Sequence, residues 1–445
     1  MKPTTDNNRG NFFVENSDHV KLLQQISGRS IDDLEKENPG LLVVKGQFKD
    51  DVQDSKIFSL INDNLHTENI VGFIGINDDS GNHVKLQIRS RFDKDNNNQY
   101  FFQYMLQRVF CPTILDLQID HSKENLFEFF LAILFPHYLK SAFRQGLFKK
   151  YKWFHHNNPD VKGSVDIKRH IRQNIPFSGN IAYTTREYSF NNPVTQLIRH
   201  TINHLEKRNL LFDRTTEFRQ AAQEIANYTP DFNSRNQVQI LNQNRTRITH
   251  PYFNEYEPLR KICLKILRHE GVALAEENKT DKIYGVVFDC AWLWEEYLNT
   301  VLEGSGIKHS ENKTGKNAIY LFKDKKSYPR YPDFYSEEKG LVLDAKYKHL
   351  EKDNNALSRD DIHQIISYMH VLMSETGAVI FPYQDSKTES DYKPVLIGKL
   401  KGHGGSVYKL AMKIPVSENF SDFVEWMNVN ESKFIISLNE IINEK

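Results

Sequence analysis

The chain contains 445 residues, with 58 basic and 58 acidic side chains and therefore no formal net charge at pH 7. This balance excludes a global positive field that would gather nucleic acid, so DNA contact would depend on local patches or on a partner. The chain is longer than a domain with a single hydrophobic core normally is, so we expect two or three domains.

The three cysteines, Cys111, Cys263 and Cys290, are widely spaced and have apolar neighbours. They predict buried thiols in a reducing cytoplasm, without a disulfide framework or a zinc site. The polar first eight residues do not resemble a signal peptide, and no apolar run is long enough to span a membrane. The sequence therefore predicts a cytoplasmic protein without membrane contact.

Residues 1–120 are expected to form a mixed α/β domain that is rich in strands. Apolar or alternating stretches predict strands at 41–44, 70–76 and 84–88. We interpret this domain as a candidate partner-binding region.

Residues 121–275 are expected to be rich in helices. Apolar side chains recur at helical spacing in 125–145, 194–207 and 257–269. The polar segment 233–249 is expected to form an exposed connection between helices.

Cations and aromatic rings alternate in segment 148–156, Phe-Lys-Lys-Tyr-Lys-Trp-Phe-His-His. Such interleaving is typical of surfaces that follow phosphates or stack on bases. The alternative, which we favour, is an amphipathic segment whose aromatic rings belong to the core. A second basic group, Lys168, Arg169 and Arg172, fits a DNA contact and a protein contact equally well.

Two acidic motifs follow in the last third of the chain. Side chains two apart in a strand share a face, so Asp344 and Lys346 are expected to project together. Segment 336–340 predicts a turn that folds Asp333, which follows Pro332, back beside them. Two carboxylates suit Mg²⁺, and the whole arrangement is typical of a metal-dependent phosphodiesterase. In such an enzyme the lysine would orient or deprotonate the attacking water, or offset the charge that develops on phosphorus. The alternative is a solvated strand face, because Asp-x-Lys is common by chance.

Helices are expected on both sides of these motifs. Segment 286–303 has helical periodicity, and Glu295 falls on its apolar stripe, where a carboxylate has to be paired, protonated or bound to a metal. Glu296 is expected to be solvated.

Downstream, Asp360 or Asp361 is expected to cap a helix that carries Gln364 and Tyr368 on one face. The alternative for these two side chains is an ordinary polar helix surface.

The remaining chain predicts strands at 378–381, 395–400 and 406–414 and a terminal helix at 420–442. Residues 276–445 are therefore expected to form an α/β domain. The whole sequence contains no Walker A motif, and its nearest approach, at 314–317, lacks the upstream Gly and the Ser or Thr. We expect no nucleotide hydrolysis by this chain alone.

The order Glu, Pro-Asp, Asp-x-Lys and Gln-x-x-x-Tyr resembles the PD-(D/E)xK nuclease superfamily. Segments 294–298, 344–348 and 363–368 are similar to the McrC family, the nuclease subunits of McrBC-type and LlaJI-type restriction systems. Weaker similarity extends to three earlier segments, 84–93, 162–169 and 188–193. In the last of these, Asn191 and Pro193 replace an expected acid and an expected basic residue.

The resemblance implies an α/β fold, α+β overall, with a β-rich amino-terminal domain, a helical middle and a restriction-endonuclease-like domain at 276–445. It implies that Asp333 and Asp344 hold Mg²⁺, for which Mn²⁺ can substitute, and that Lys346 is catalytic. Glu295 would complete or orient the metal shell, and Gln364 would position the site or the DNA. Candidate DNA contacts are Lys348, Tyr368, Lys150, Lys152 and Arg169.

The resemblance also implies a partner, an McrB-type AAA+ GTPase that binds the GTP. The function expected is hydrolysis of double-stranded DNA, with modified cytosine as a possible target and two complexes pairing to cut both strands. One alternative is an autonomous nuclease of repair or recombination. The other is a non-catalytic adaptor that activates a ring GTPase.

Overall fold

The computed structural model describes residues 3–38, 41–44, 55–78, 80–93, 99–110, 123–211, 215–269, 282–310, 318–349, 357–384, 393–402 and 404–443. The chain divides into two compact units. The first comprises Met1–Phe127 and Glu277–Lys445, and the second comprises Glu128–Glu276. The predicted domain boundaries, after residues 120 and 275, lie outside the described residues.

The first unit begins with a strand-rich segment. Its strands and helices are β1 (Thr4–Thr5), β2 (Arg9–Phe13), α1 (Ser17–Gln24), α2 (Ile31–Glu37), β3 (Leu41–Val44), β4 (Phe58–Ile61), β5 (Asn64–Thr67), β6 (Ile70–Asn77), β7 (His83–Arg89) and α3 (Tyr100–Phe110). The strands predicted at 41–44, 70–76 and 84–88 are confirmed as β3, β6 and β7. A small antiparallel sheet has the order β2-β5-β4.

The second unit combines helices with a sheet. Its elements are α4 (Lys123–Phe143), β8 (Lys150–Asn158), β9 (Ser164–Val165), α5 (Ile167–Gln173), β10 (Ile181–Ser189), α6 (Pro193–Lys207), α7 (Thr216–Tyr228), α8 (Gln237–Gln243) and α9 (Tyr256–His269). The three predicted helices are confirmed as α4, α6 and α9. The helical description was incomplete, because β8, β10 and β9 form an antiparallel sheet. The polar segment 233–249 also contains α8 and is not only a connection.

The chain then returns to the first unit. The elements of this part are β11 (Ile283–Asp289), α10 (Cys290–Val301), β12 (Lys308–His309), β13 (Ile319–Tyr320), β14 (Pro329–Arg330), β15 (Phe334–Ser336), β16 (Leu341–Ala345), α11 (Arg359–Leu372), β17 (Thr376–Gln384), β18 (Val395–Lys399), β19 (Ser406–Ile414) and α12 (Phe420–Asn443). The predicted strands after residue 376 and the terminal helix are confirmed.

The helix predicted at 286–303 begins later than expected. Residues 286–289 belong to β11, which pairs with β6 on one side and β3 on the other in the sheet β1-β7-β6-β11-β3. The residues of β11 form an apolar run, which is typical of a strand with neighbours on both sides. Periodicity alone does not distinguish so short a run from part of a helix. The Asp289 carboxylate then accepts hydrogen bonds from the backbone N–H groups of Ala291 and Trp292 and begins α10.

The second large sheet has the order β12-β15-β16-β17-β19-β18. Its central strands β16, β17 and β19 are parallel, and β15 and β18 run antiparallel to their neighbours. Helix α11 packs on β16 and β17 through an apolar cluster that includes Val342, Ile365, Met369 and Val379. Helix α10 packs on β16, and α12 packs on β19. Strand β16 is therefore buried along its length.

The amino-terminal segment is fixed to the residues that follow β16. Arg91 and Asp6 form a buried ion pair, and the Arg91 guanidinium lies over the Tyr347 ring, 5.0 Å from its centroid. The Tyr347 hydroxyl also shares a hydrogen bond of 2.8 Å with Ser90. These contacts join β7 to the end of β16, although the two are far apart in sequence.

Cys263 and Cys290 are buried free thiols, as predicted, and Cys111 lies outside the described residues. In the described part of the chain, no helix combines the length and the hydrophobicity needed to cross a bilayer.

Replacing Asp6 with Ala is expected to lower the free energy of unfolding by about 3 kcal/mol, because Arg91 would stay buried without its carboxylate. Asp18→Ala, which breaks the exposed pair with Lys21, is expected to cost less than about 0.5 kcal/mol. Urea denaturation followed by tryptophan fluorescence measures both changes. A loss below about 1 kcal/mol for Asp6→Ala would show that this ion pair does not support the fold.

Candidate active site

The predicted pair of Asp344 and Lys346 lies at the end of strand β16. Asp344 is only 1% exposed, and its Oδ2 atom lies 2.8 Å from Lys346 Nζ. The Lys346 backbone N–H donates a hydrogen bond of 2.8 Å to the Ile380 carbonyl, so pairing with β17 continues past the end of the strand. The two side chains therefore project together from a fixed backbone, as predicted.

Asp333 lies beside this pair because β15 and β16 form a hairpin. Phe334 stands opposite Leu343 in the register, and the Asp333 Oδ2 atom accepts a hydrogen bond of 2.7 Å from the Ala345 N–H group. Asp333 and Asp344 therefore lie at the same end of this hairpin. The predicted turn at 336–340 thus brings both acids to one place.

The electrostatics of the three groups are coupled. Burial, and then the neighbouring Asp344 carboxylate, raise the pKa of Asp333 to about 7. Burial also raises the pKa of Asp344, against the lowering effect of Lys346. Burial alone would lower the pKa of Lys346, but the two carboxylates outweigh it and raise that pKa. In this geometry the lysine is a cation at neutral pH, and the two acids compete for one proton.

Gln364 and Tyr368 extend the site into α11. Lys346 Nζ donates to Gln364 Oε1 at 2.8 Å, Gln364 Nε2 donates to the Tyr368 hydroxyl at 2.8 Å, and that hydroxyl donates to the Tyr331 carbonyl at 3.2 Å. The predicted shared face of the two residues is confirmed, and the chain of hydrogen bonds orients the lysine. Tyr368 is 3% exposed and its hydroxyl donates within the site, and its predicted DNA contact stays a prediction.

Lys348 pairs with the Asp361 carboxylate at the start of α11. The helix is capped by Ser358, whose hydroxyl accepts from the Asp361 N–H at 3.2 Å, and the predicted cap by Asp360 or Asp361 is wrong. Ser358 fits because a Ser side chain one residue before the first turn reaches the free N–H groups directly. Lys348 keeps about a third of its side chain exposed, and its predicted DNA contact stays a prediction.

Glu295 is not on the buried face of α10, which is formed by Leu293, Trp294, Tyr297 and Leu298. It lies half-buried beside that face because the helix begins at Cys290, four residues later than predicted. Its Oε1 atom is 3.7 Å from Nε2 of His309, a residue that the sequence analysis did not identify. A histidine in a two-residue edge strand carries no spacing signal that could have indicated this contact.

The donor set fits a hard divalent cation at two carboxylates. Both carboxylate oxygens of Asp344 are buried, and their close polar neighbour is Lys346 Nζ, 2.8 Å from Oδ2. Oxygen ligands with free lone pairs, next to a second carboxylate, suit Mg²⁺, which retains several waters. Within the described ranges, no three His, Cys, Asp or Glu side chains are grouped closely enough to hold a metal ion, so Glu295 is not brought in as a third direct ligand.

The basic aromatic segment lies in the second unit, on β8. Tyr151 and Trp153 are 47% and 59% exposed but Phe148 is 6% exposed, so the favoured prediction of core aromatic rings is confirmed for Phe148 and wrong for the other two. Among the described strands, β8 pairs with β10, and on the exposed face of this pair Tyr151 stacks on Tyr188 and lies against Arg186 instead of a hydrophobic core. The side chains of Lys150 and Lys152 on the same strand are also exposed.

Arg169 has a structural role in the same unit. Its guanidinium donates hydrogen bonds to the carbonyls of His156 and Tyr183, at 2.8 and 2.6 Å, and so holds α5 against the sheet. The Arg169 side chain keeps 19% of its surface exposed, and its predicted DNA contact stays a prediction. Lys168 and Arg172 are exposed on α5.

Residues 65–382 match the family model described as McrBC 5-methylcytosine restriction system component. One similar solved chain belongs to the refined half-complex from a tetradecameric assembly of Thermococcus gammatolerans McrB AAA+ hexamers with bound McrC, with 13% identity, a TM-score of 0.49 and 99% of each chain covered. Another, from the cryo-EM structure of the Thermococcus gammatolerans McrBC complex, has 15% identity and a TM-score of 0.32, and covers 67% of this chain and 86% of that one. None of the curated proteins matches the chain.

The raised pKa of Asp333 predicts a pH-dependent effect of Asp333→Asn. Folded Asp333 keeps its proton up to about pH 7, whereas an unfolded aspartate loses it near pH 4. Wild-type stability therefore falls as the pH rises between these values, and the neutral amide avoids that loss. Without metal, we expect Asp333→Asn to raise Tm by roughly 2 °C at pH 8 and to change it little at pH 4.

Differential scanning fluorimetry with a chelator measures this difference, and Asp18→Asn, at an exposed site, is the control. An equal effect of Asp333→Asn at both pH values would contradict a raised pKa at this carboxyl group.

Proposed function

This chain belongs to the family of McrBC 5-methylcytosine restriction system components, whose model matches more than half of its length, and we propose that it is the McrC-type nuclease subunit of such a system. The match confirms the family that the sequence resembles. The proposed reaction is Mg²⁺-dependent hydrolysis of phosphodiester bonds in double-stranded DNA. The proposed fold of residues 276–445 is that of a PD-(D/E)xK restriction endonuclease.

The observation that carries this proposal is the convergence of Asp333, Asp344, Lys346 and Gln364 at the end of β16. An accidental Asp-x-Lys on a strand would be solvated, but here Asp344 is buried beside a second carboxyl group. Burying two acids together costs stability, and such perturbed groups cluster at functional sites. The four residues also stand in the order that the superfamily resemblance requires.

The roles of the side chains follow from their contacts. Asp333 and Asp344 would hold the cation, and bound Mg²⁺ supplies Lewis-acid activation of the phosphodiester and of water. Lys346 is fixed between Asp344 and Gln364 and is positively charged, so it is suited to offset the negative charge that develops on the phosphate. Because the raised pKa keeps Lys346 protonated, this lysine is better suited to orienting the attacking water than to removing a proton from it.

The proposed partner is an McrB-like AAA+ GTPase that binds and hydrolyses GTP in trans. Membership of a family described as one component of a restriction system supports a second component. The absence of a Walker A motif from these 445 residues is consistent with that division of labour. Cytoplasmic location, a preference for modified cytosine and pairing of complexes for double-strand cleavage belong to the same proposal.

Lys346→Ala is expected to lower the cleavage rate by about 10²–10⁴-fold, because the cation next to the reacting phosphate is removed. The measurement uses the chain co-expressed with an McrB-type GTPase from the same genome, on methylated and unmethylated plasmid with Mg²⁺ and GTP. Lys399→Ala, at an exposed lysine of the same sheet, is the matched control and is expected to cut like wild type.

GTP hydrolysis by the complex is expected to survive Lys346→Ala. Undiminished cleavage by this variant would contradict the catalytic role of Lys346. Cleavage by wild type without GTP or partner would instead favour an autonomous nuclease, and GTPase stimulation with no cleavage of either plasmid would favour an adaptor.

Gln364→Ala is expected to slow cleavage by about 10-fold, because Lys346 loses the hydrogen bond that orients it. Since both residues act through one contact, the double variant with Lys346→Ala is expected to be no slower than Lys346→Ala alone. The measurement is the single-turnover cleavage rate of wild type, Lys346→Ala, Gln364→Ala and the double variant, which together form a double-mutant cycle. Effects that multiply in the double variant would show that Gln364 acts independently of Lys346.

A further inference from the structure

His309 occupies a position between the two halves of the candidate site. It lies on the edge strand β12, opposite Phe334 on β15, and thus next to Asp333. The N–H group of the following residue, Ser310, donates a hydrogen bond of 3.1 Å to the Asp333 carbonyl. The short strand β12 is therefore attached to the turn that carries the first carboxylate.

The imidazole ring is fixed on three sides. Its Nδ1 atom lies 3.0 Å from the Asp333 carbonyl oxygen, and because a carbonyl only accepts, Nδ1 carries the proton and donates. The ring packs against the Phe334 ring, with centroids 4.9 Å apart. Nε2 faces the Glu295 Oε1 atom at 3.7 Å, a contact that is an ion pair when Nε2 also carries a proton.

This arrangement explains how Glu295 is related to the site without being grouped with the two aspartates. Glu295 comes from α10, whereas Asp333 and Asp344 come from the β15–β16 hairpin. His309 is the side chain that contacts both parts, and its own side chain is 13% exposed. Carboxylates at metal sites are oriented by polar groups outside the ligand set, and a ring held at one nitrogen is suited to that task.

We propose that His309 is a positioning residue, which holds the Asp333 turn through Nδ1 and sets the Glu295 carboxylate through Nε2 so that Glu295 supports cation binding indirectly. The proposal rests on the proposed Mg²⁺ site and adds a residue and a contact to it. It requires no direct contact between His309 and the cation. A purely structural role, in which His309 only attaches β12 to β15, would need Nδ1 alone.

The test measures Mn²⁺ binding to the purified full chain by electron paramagnetic resonance, without DNA or partner. An asparagine amide reaches as far as Nδ1 and a glutamine amide as far as Nε2, so His309→Asn and His309→Gln separate the two contacts. We expect His309→Ala and His309→Asn to weaken Mn²⁺ binding by about 10-fold. His309→Gln is expected to retain most of the affinity.

Glu295→Gln is expected to weaken binding to a similar extent, and combining it with His309→Ala is expected to add nothing, because the two residues act through one contact. His83→Ala, at an exposed histidine of β7, is the matched control with wild-type affinity. The Tm of each variant shows that it is folded, and an unchanged Tm in His309→Asn with lost affinity separates positioning from structural support.

Wild-type affinity in both His309→Ala and His309→Asn would overturn the inference, as would independent effects of His309→Ala and Glu295→Gln. A different result would contradict the proposed function itself. If wild type binds Mn²⁺ no better than Asp344→Asn, the chain has no cation site at these aspartates, and His309 has none to support.

Discussion

The site depends on one electrostatic constraint, the placement of two carboxyl groups at one end of the β15–β16 hairpin, where Asp344 is buried and Asp333 is partly buried. Removal from water raises the pKa of both Asp333 and Asp344, and the neighbouring Asp344 carboxylate raises the pKa of Asp333 further. The Lys346 ammonium group offsets part of this charge, and Lys348 adds a smaller contribution at Asp344. Such an arrangement costs folding stability, and a divalent cation would relieve it by supplying the remaining positive charge.

The surrounding fold fixes this cluster from four directions. The parallel pairing of β16 with β17 holds Asp344 and Lys346, the β15–β16 hairpin brings in Asp333, and α11 orients the lysine through Gln364. On the fourth side, Tyr347 anchors the end of β16 to the amino-terminal segment through Ser90 and Arg91. The residue next to Lys346 is thus part of the contact between the early and late parts of the first unit.

Local patterns in the sequence predicted the centre of the site because its geometry is local. The two-residue period of a strand placed Asp344 with Lys346, a short polar turn returned Asp333, and the four-residue helical spacing aligned Gln364 with Tyr368. In each case the spacing along the chain determines the direction of the side chains. The strands and helices with strong apolar patterns were predicted for the same reason.

The errors and omissions concern features set by distant contacts. The pairing of β11 with β3 and β6 turned an expected helical turn into a strand, and His309 reached Glu295 only through the sheet edge. Tyr151 and Trp153 are exposed because no element covers that strand within the part of its unit that the structure describes, which composition does not reveal. Arg169 uses its donors on backbone carbonyls of another element, and no pattern of charge indicates that use.

The central claim, that Asp333 and Asp344 form a cation site, is tested most directly by anomalous diffraction from crystals of this chain grown with Mn²⁺. In wild-type crystals we expect an anomalous peak within bonding distance of one carboxylate oxygen of Asp333 and one of Asp344. In crystals of Asp344→Asn we expect no such peak. A well-ordered site without the peak, or a peak that persists in Asp344→Asn, would contradict it.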